Sequence, residues 1–265
     1  MSSRLFATLD GYAVEGGYDV EGGPTTCYAP THALRRTTAP GVAAGLWEDY
    51  EEVVERAAEL GLDGIRLGVE WARVEPRRGV VDGAALERYA RVAGAARAAG
   101  LAVTLLLFDE VWPLWAGLEA WLLPWVVPYA LAHGRRVAER IDAATGIVVA
   151  SDPRGLVDRG FVTAAAPPWR REARADARDA HDQVRGVVEA LESDPAIAPR
   201  RASGRALSLE TPPRELAGLA REGGDLYLRS LVAGSGPTGS RTGLLVRRAD
   251  AWVPGPAAAL LTALR

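Results

Sequence analysis

The run from Leu101 to Phe108 reads LAVTLLLF, and an apolar segment of that kind, with no polar alternation, is what a parallel strand buried on both faces requires. Immediately before it, Leu86 to Ala99 is an alanine-rich stretch with amphipathic helical spacing that stops at Gly100. This helix-then-strand unit recurs along the chain. Trp47 to Leu60 sets Tyr50, Val53, Val54, Ala57, Ala58 and Leu60 at helical intervals, ends at Gly61 and feeds a β run from Gly64 to Trp71. Helix Pro124 to Ile141 precedes strand Gly146 to Ala150, helix Ala173 to Leu191 precedes strand Ala206 to Leu209, and helix Arg214 to Arg221 precedes strand Leu226 to Val232. With Leu5 to Leu9 as the first strand, the alternation predicts a parallel sheet covered by helices.

A length of 265 residues is near that of one (β/α)₈ barrel, so residues 1–265 are expected to form a single α/β domain, a TIM-type (β/α) barrel. Beyond Val232 the pattern thins. Gly234 to Thr242 is a loop, Leu244 to Val253 is either one strand or a hairpin about Ala249-Asp250, and Gly255 to Arg265 fits a final helix. About thirty residues are short for two more βα units, whose crossovers take a dozen or more residues each. The barrel is therefore either reduced in its C-terminal third or completed by a second copy of the chain, a homodimer. A doubly wound open sheet is the alternative, but no GxGxxG loop follows the first strand.

Charge narrows the function classes. The basic residues, 31 in all and every one arginine, stand against 34 acids for a net charge of −3, which argues against nucleic acid or an anionic membrane as partner. No lysine is present, so Schiff-base chemistry is excluded, and Cys27 is the only cysteine, so an intramolecular disulfide and a multi-cysteine metal site are excluded too. His32, His133 and His181 form no metal-spaced pair, and neither a metal nor another cofactor is expected. Met1 to Arg4 carries no apolar signal core, and the longest apolar stretch, Ala120 to Ala132, is short for a membrane span and holds prolines. These features predict a cytoplasmic protein acting on a small molecule.

Specific segments then carry a resemblance. Tyr12-Ala13-Val14-Glu15-Gly16-Gly17 resembles the YQ(V/I)EGG segment of glycoside hydrolase family 1, the β-glucosidase-type barrels. Glu59-Leu60-Gly61 with Ile65 to Pro76 resembles that family's ELG…YRFSIxWxRIxP, and Thr104 to Asp109 with Pro113-Leu114-Trp115 resembles TLxH(W/F)DLPxWL with two extra residues before the proline. Trp121 stands where a GGW would place it, Ile147 to Pro153 resembles WITxNEP, and Gly160-Phe161-Val162 with Pro167-Pro168 resembles the GY…G…PPG that follows. Together these segments cover roughly residues 5–235 and imply the barrel fold.

The departures bear on activity. The resemblance implies sugar-binding seats at Ala13, Leu107 and Ser151, which have lost the Gln, His and Asn of the family; unpaired sugar hydroxyls in a buried site cost affinity and rate. The acid/base seat is taken by the shorter Asp152, and no TENG stretch supplies a nucleophile, which breaks the carboxyl pair that glycoside hydrolysis uses. Because function in this architecture sits at the C-terminal strand ends, the remaining rim acids are the catalytic candidates: Asp152 first, with Asp109 or Glu210 as partner. Glu70 at the end of the second strand, Tyr12, Ser151, Arg66 (which in the family contacts the nucleophile) and the tryptophans Trp112 and Trp115 are the substrate-binding candidates. The expectation is an acid/base enzyme on a glycosidase-like barrel, performing cyclisation, isomerisation, elimination or hydrolysis on a relatively apolar or glycosylated metabolite. Its rivals are a glycosidase with a rearranged carboxylate pair and a non-catalytic ligand-binding pseudo-glycosidase.

Overall fold

The structure is a computed structural model that describes residues 3–34, 39–43, 45–171, 174–207, 224–228, 232–233, 245–248 and 251–254. The strands are β1 (Ser3–Leu9), β2 (Gly64–Gly68), β3 (Ala102–Phe108), β4 (Gly146–Ala150), β5 (Arg205–Leu207), β6 (Gly224–Leu228), β7 (Val232–Ala233), β8 (Leu245–Arg248) and β9 (Ala251–Pro254). Between them lie helices α1 (Gly11–Val14), α2 (Ala29–Ala33), α3 (Leu46–Glu59), α4 (Trp71–Val74), α5 (Gly83–Ala98), α6 (Val127–Arg140), α7 (Pro153–Val157) and α8 (Arg174–Glu192).

The first six strands form one sheet in the order β4-β3-β2-β1-β6-β5, and every pairing in it is parallel. Each long helix returns the chain to the start of the next strand, which is the only way parallel neighbours can be joined. The two ends of the sheet approach each other through the segment that leads into β5: Arg201 bridges Ile147 of β4, and the Ala202 N–H donates to the Ile147 carbonyl at 2.9 Å. The strand that starts beside β4 therefore ends beside β6, and the barrel is a reduced one, drawn together by six strands. The C-terminal hairpin is present as an antiparallel β8–β9 pair with Arg248 opposite Ala251, in a second sheet with β7. Helix Arg214 to Arg221, helix Gly255 to Arg265 and Glu210 lie outside the described residues.

Burial follows the pattern read from the sequence. All of β2 is buried, β3 is buried from Val103 onward, and Tyr50, Val53, Val54 and Ala57 of α3 and Leu86, Tyr89, Val92, Ala93 and Ala96 of α5 turn inward. Two elements depart from expectation, and the first is the strand expected from Leu226 to Val232, which divides into β6, ending at Leu228, and β7, which opens on Val232 in the second sheet. The β run expected to reach Trp71 ends at Gly68, because residues 71–74 coil into α4 and carry Trp71 and Arg73 back into the core. Gly64 shows why β2 begins on a glycine: a Cβ there would lie 2.4 Å from the Phe6 ring and 2.5 Å from the Ala102 carbonyl oxygen. Among the described residues no helix is long and apolar enough to cross a membrane.

Among the described residues the core holds one imidazole. His133 on α6 is fully buried, stacked on Trp71 at 5.7 Å and tilted against Phe108. Burial, aided by the Arg136 charge, pushes its pKa down to about 3. The unfolded chain therefore takes up a proton near pH 6.5 that the folded core refuses, so stability is complete above that pH and falls as the pH drops toward 3. Denaturant titrations at pH 7 and pH 4 are expected to differ by about 3 kcal/mol in the wild type and by much less in His133→Leu.

Candidate active site at the barrel rim

The loops on the C-terminal ends of β1 and β2 are tied together by a buried ion pair. Arg73 Nε donates to Glu15 Oε2 at 2.8 Å, with the carboxylate side chain 1% exposed. Tyr89 donates to Glu15 Oε1 at 2.7 Å, Tyr18 donates to Oε2, and Arg73 Nη2 donates to the Gly16 carbonyl at 2.6 Å. The guanidinium also lies 3.9 Å from the centre of the Trp47 ring and 4.3 Å from that of Tyr18. A buried charge is tolerable only when paired and hydrogen-bonded in this way. Gly16 itself sits at φ +84°, with no room for a Cβ against the Val42 carbonyl, so the turn after Glu15 needs glycine.

On this base stand the rim residues. Glu70 follows β2, is 6% exposed and accepts a hydrogen bond from the Tyr12 N–H at 3.1 Å. Its carboxyl packs against Gly11, where a Cβ would lie 2.2 Å from Glu70 Cγ. Burial first, then the charge of Glu15, with a smaller push from Asp109 and against the Tyr12 N–H hydrogen bond, holds Glu70 well above the usual carboxylate range. Asp109 follows β3 and accepts a 2.6 Å hydrogen bond from the Ser151 hydroxyl at the end of β4. Thus Glu70, Asp109, Ser151 and Tyr12 are brought to one end of the barrel.

Asp152 is engaged differently. It is the N-cap of α7, its Oδ1 accepting from the Gly155 N–H at 2.8 Å, and its Oδ2 lies 3.4 Å from Arg159 Nη1. It lines an open groove between α7 and α8 with His181, Val184 and Val188. The acid expected to lead the chemistry therefore caps a helix and faces the outer groove. The matching of Asp152 to the acid/base seat could not foresee this, because a cap bond depends on the helix that follows.

The tryptophan expectation also needs correction. Trp112 is 2% exposed and donates its indole N–H to the Gly117 carbonyl at 2.8 Å. Half-buried Trp115 donates to the Glu75 carbonyl at 2.6 Å and packs edge-on against Trp71 and Tyr129. Both rings are spent on holding the loops after β2 and β3. Arg66 is buried with its guanidinium 4.7 Å from the centre of the Tyr227 ring on β6, so it spans β1 within the sheet. The sole cysteine, Cys27, is fully buried, and burial raises its thiol above the ordinary range, which makes it a poor nucleophile.

Several residues at the rim were not singled out as site residues from the sequence. Tyr28 stacks on Tyr12 with ring centres 5.5 Å apart and meets Trp169 edge to face at 5.7 Å. Both are half-buried, and the Tyr28 hydroxyl lies within electrostatic reach of Glu110, Arg159 and Asp109. Arg159 links the two strand ends, 3.1 Å from Glu110 and 3.4 Å from Asp152. Trp169 holds φ +55°, a backbone position that a bulky side chain adopts at a cost of about 1–3 kcal/mol. The Tyr12 hydroxyl donates to Asp19 at 2.9 Å and meets His32 Nε2 at 2.8 Å. Among the described residues no cluster of three or more His, Cys, Asp or Glu side chains is arranged to hold a metal ion.

Comparison with known proteins agrees with this architecture. The chain is 28% identical over 171 residues to the "Beta-glucosidase-like SFR2, chloroplastic" of Oryza sativa subsp. japonica, a match covering 62% of this chain and 26% of that protein. It is 29% identical over 157 residues to the coniferin beta-glucosidase of Pinus contorta, covering 56% and 30%. In three dimensions it superposes on a beta-glucosidase from Exiguobacterium marinum with a TM-score of 0.69 at 20% identity, covering 81% of this chain and 52% of that one. This is a divergent glycoside hydrolase family 1-like protein. No family model matches it. The matches span under a third of the two curated relatives and about half of the solved β-glucosidase.

The central ion pair predicts a sharp stability response. Arg73→Met leaves Glu15 charged and buried, and Glu15→Gln leaves the guanidinium so; each is expected to cost about 3–5 kcal/mol in urea denaturation. The double substitution should cost clearly less than the sum of the two.

Proposed function

We propose that this glucosidase-like barrel is an enzyme whose acid/base chemistry is carried by Asp109, with protonated Glu70 beside it, acting on a small, relatively apolar or glycosylated metabolite. The observation that carries the reading is the pair of carboxyl groups at adjacent strand ends, one buried and held well above the usual carboxylate range, the other accepting a hydrogen bond from Ser151. Sites that pair a proton-bearing carboxyl with a hydrogen-bonded carboxylate assign the acid and the base by environment. Ser151 fixes the orientation of Asp109, and Arg159 holds Asp152 and Glu110 at the flank. Tyr28 and Trp169 supply the ring faces expected earlier of Trp112 and Trp115. Isomerisation, elimination, cyclisation and hydrolysis all need a positioned proton donor and acceptor of this kind.

The likeness to β-glucosidases favours hydrolysis of a glycosidic bond by this rearranged pair as a second form of the same reading. Both forms are tested by incubating wild type, Asp109→Asn and Asp152→Ala with nitrophenyl glycosides of varied sugar and anomer, and with a metabolite extract followed by mass spectrometry. Asp109→Asn is expected to lower turnover roughly 10²-fold or more. Asp152→Ala is expected to keep most activity while losing about 1 kcal/mol of stability as a missing helix cap. Turnover that survives Asp109→Asn, or no substrate change by the folded wild type in either assay, would overturn the reading in favour of a non-catalytic protein.

A further inference from the structure

A second cleft opens at the same end of the barrel, away from Asp109 and Glu70. It has a volume of about 430 Å³ and lies between the Gly22-Gly23 loop, Trp47 at the start of α3 and the first turn of α5. Three arginines line it: Arg73, Arg88 and Arg91. Their charges are not equally met. Arg73 is neutralised by Glu15 at 2.8 Å. Among the described residues Arg88 has only Glu48, at 4.0 Å, and that carboxylate side chain is 78% exposed, so the pair is weak. Arg91 makes no ion pair among the described residues.

Arg88 is also held in place more firmly than a surface arginine. Its guanidinium rests over the rings of Trp47 and Tyr50, 5.4 Å and 5.2 Å from their centres, and its Nη2 donates to the Glu48 carbonyl at 3.3 Å. Its Nε is buried yet donates to nothing among the described residues. A buried guanidinium donor without an acceptor costs stability, and such a group marks a place where an acceptor belongs. Asp82 is the one acid lining the cleft, and its Oδ1 is committed to the Ala85 N–H at 3.0 Å as the cap of α5. Arg88 and Arg91 thus face Asp82, whose lone pairs are partly used, and the largely exposed carboxylate of Glu48.

We propose that this cleft is a binding site for a phosphomonoester dianion, held by the guanidinium forks of Arg88 and Arg91. Planar forks in a partly enclosed, cation-rich cleft match the tetrahedral oxygens of phosphate, and a charge of about −2 offsets the two arginines. The cleft volume exceeds that of the phosphate group alone and leaves room for the group it esterifies. Glycine at Gly22 and Gly23 lets backbone approach the ligand without a side chain intervening.

Isothermal titration and thermal melting of the intact chain with inorganic phosphate and with glucose 6-phosphate, at constant ionic strength set by NaCl, test the site. Saturable one-to-one binding is expected, weakened about tenfold or more by Arg88→Gln and by Arg91→Gln and unchanged by Arg97→Gln at the exposed far end of α5. Arg91 is exposed, so its variant reports on the site even where Arg88→Gln disturbs packing. Tighter binding of the ester than of free phosphate identifies the ligand as an organic phosphate; equal binding identifies phosphate itself. No saturable binding of either probe, or equal binding by the Arg91→Gln variant, would overturn the proposal.

Discussion

The rim of this barrel depends on one buried contact, the Glu15–Arg73 ion pair. Glu15 comes from the loop after β1 and Arg73 from α4 after β2, so the pair sets the spacing of the two loops that build half of the site. Tyr18, Tyr89, Trp47 and Gly16 all close on it, which leaves neither charge partly met. The same carboxylate then acts at a distance. Its charge, added to the larger effect of burial, raises the pKa of Glu70, and so the packing of the loops reaches into the electrostatics of the rim.

Three positions that the family resemblance marks as sugar-binding seats carry short or apolar side chains in this chain. Leu107 is buried in β3, Ala13 is exposed on α1, and Ser151 has turned its hydroxyl to Asp109. None of these is arranged to read a ring of hydroxyls. In their place the mouth carries stacked and edge-on aromatic rings, Tyr12, Tyr28 and Trp169, beside a strip of acids bridged by Arg159. Such a surface favours flat or apolar groups over polar ones.

Much of the fold was legible because its signals are local. LAVTLLLF reads as a strand buried on both faces and is one from Ala102 on, and Gly100 stops α5 where its helical spacing ends. The hairpin of β8 and β9 lay within one of the two readings of its segment. The site was only partly legible. Strand-end acids can be counted from the sequence, and Glu70 and Asp109 are where that counting placed them. What each acid does is set by partners far along the chain: Asp152 is drawn away by Gly155 and Arg159, and Trp112 and Trp115 are consumed by the carbonyls of Gly117 and Glu75. Tyr28 and Trp169 lie 141 positions apart in sequence and carry no motif, so nothing local announces their contact.

The seam between β4 and the segment entering β5 has a consequence for how the barrel moves. Elsewhere neighbouring strands share ladders, whereas here the sheet is drawn together by one bridge and the single bond from Ala202 to Ile147. Bonds that open independently open most readily where fewest act together. Among the described residues this join is the thinnest line in the wall, and β4, which leads into Ser151, borders it.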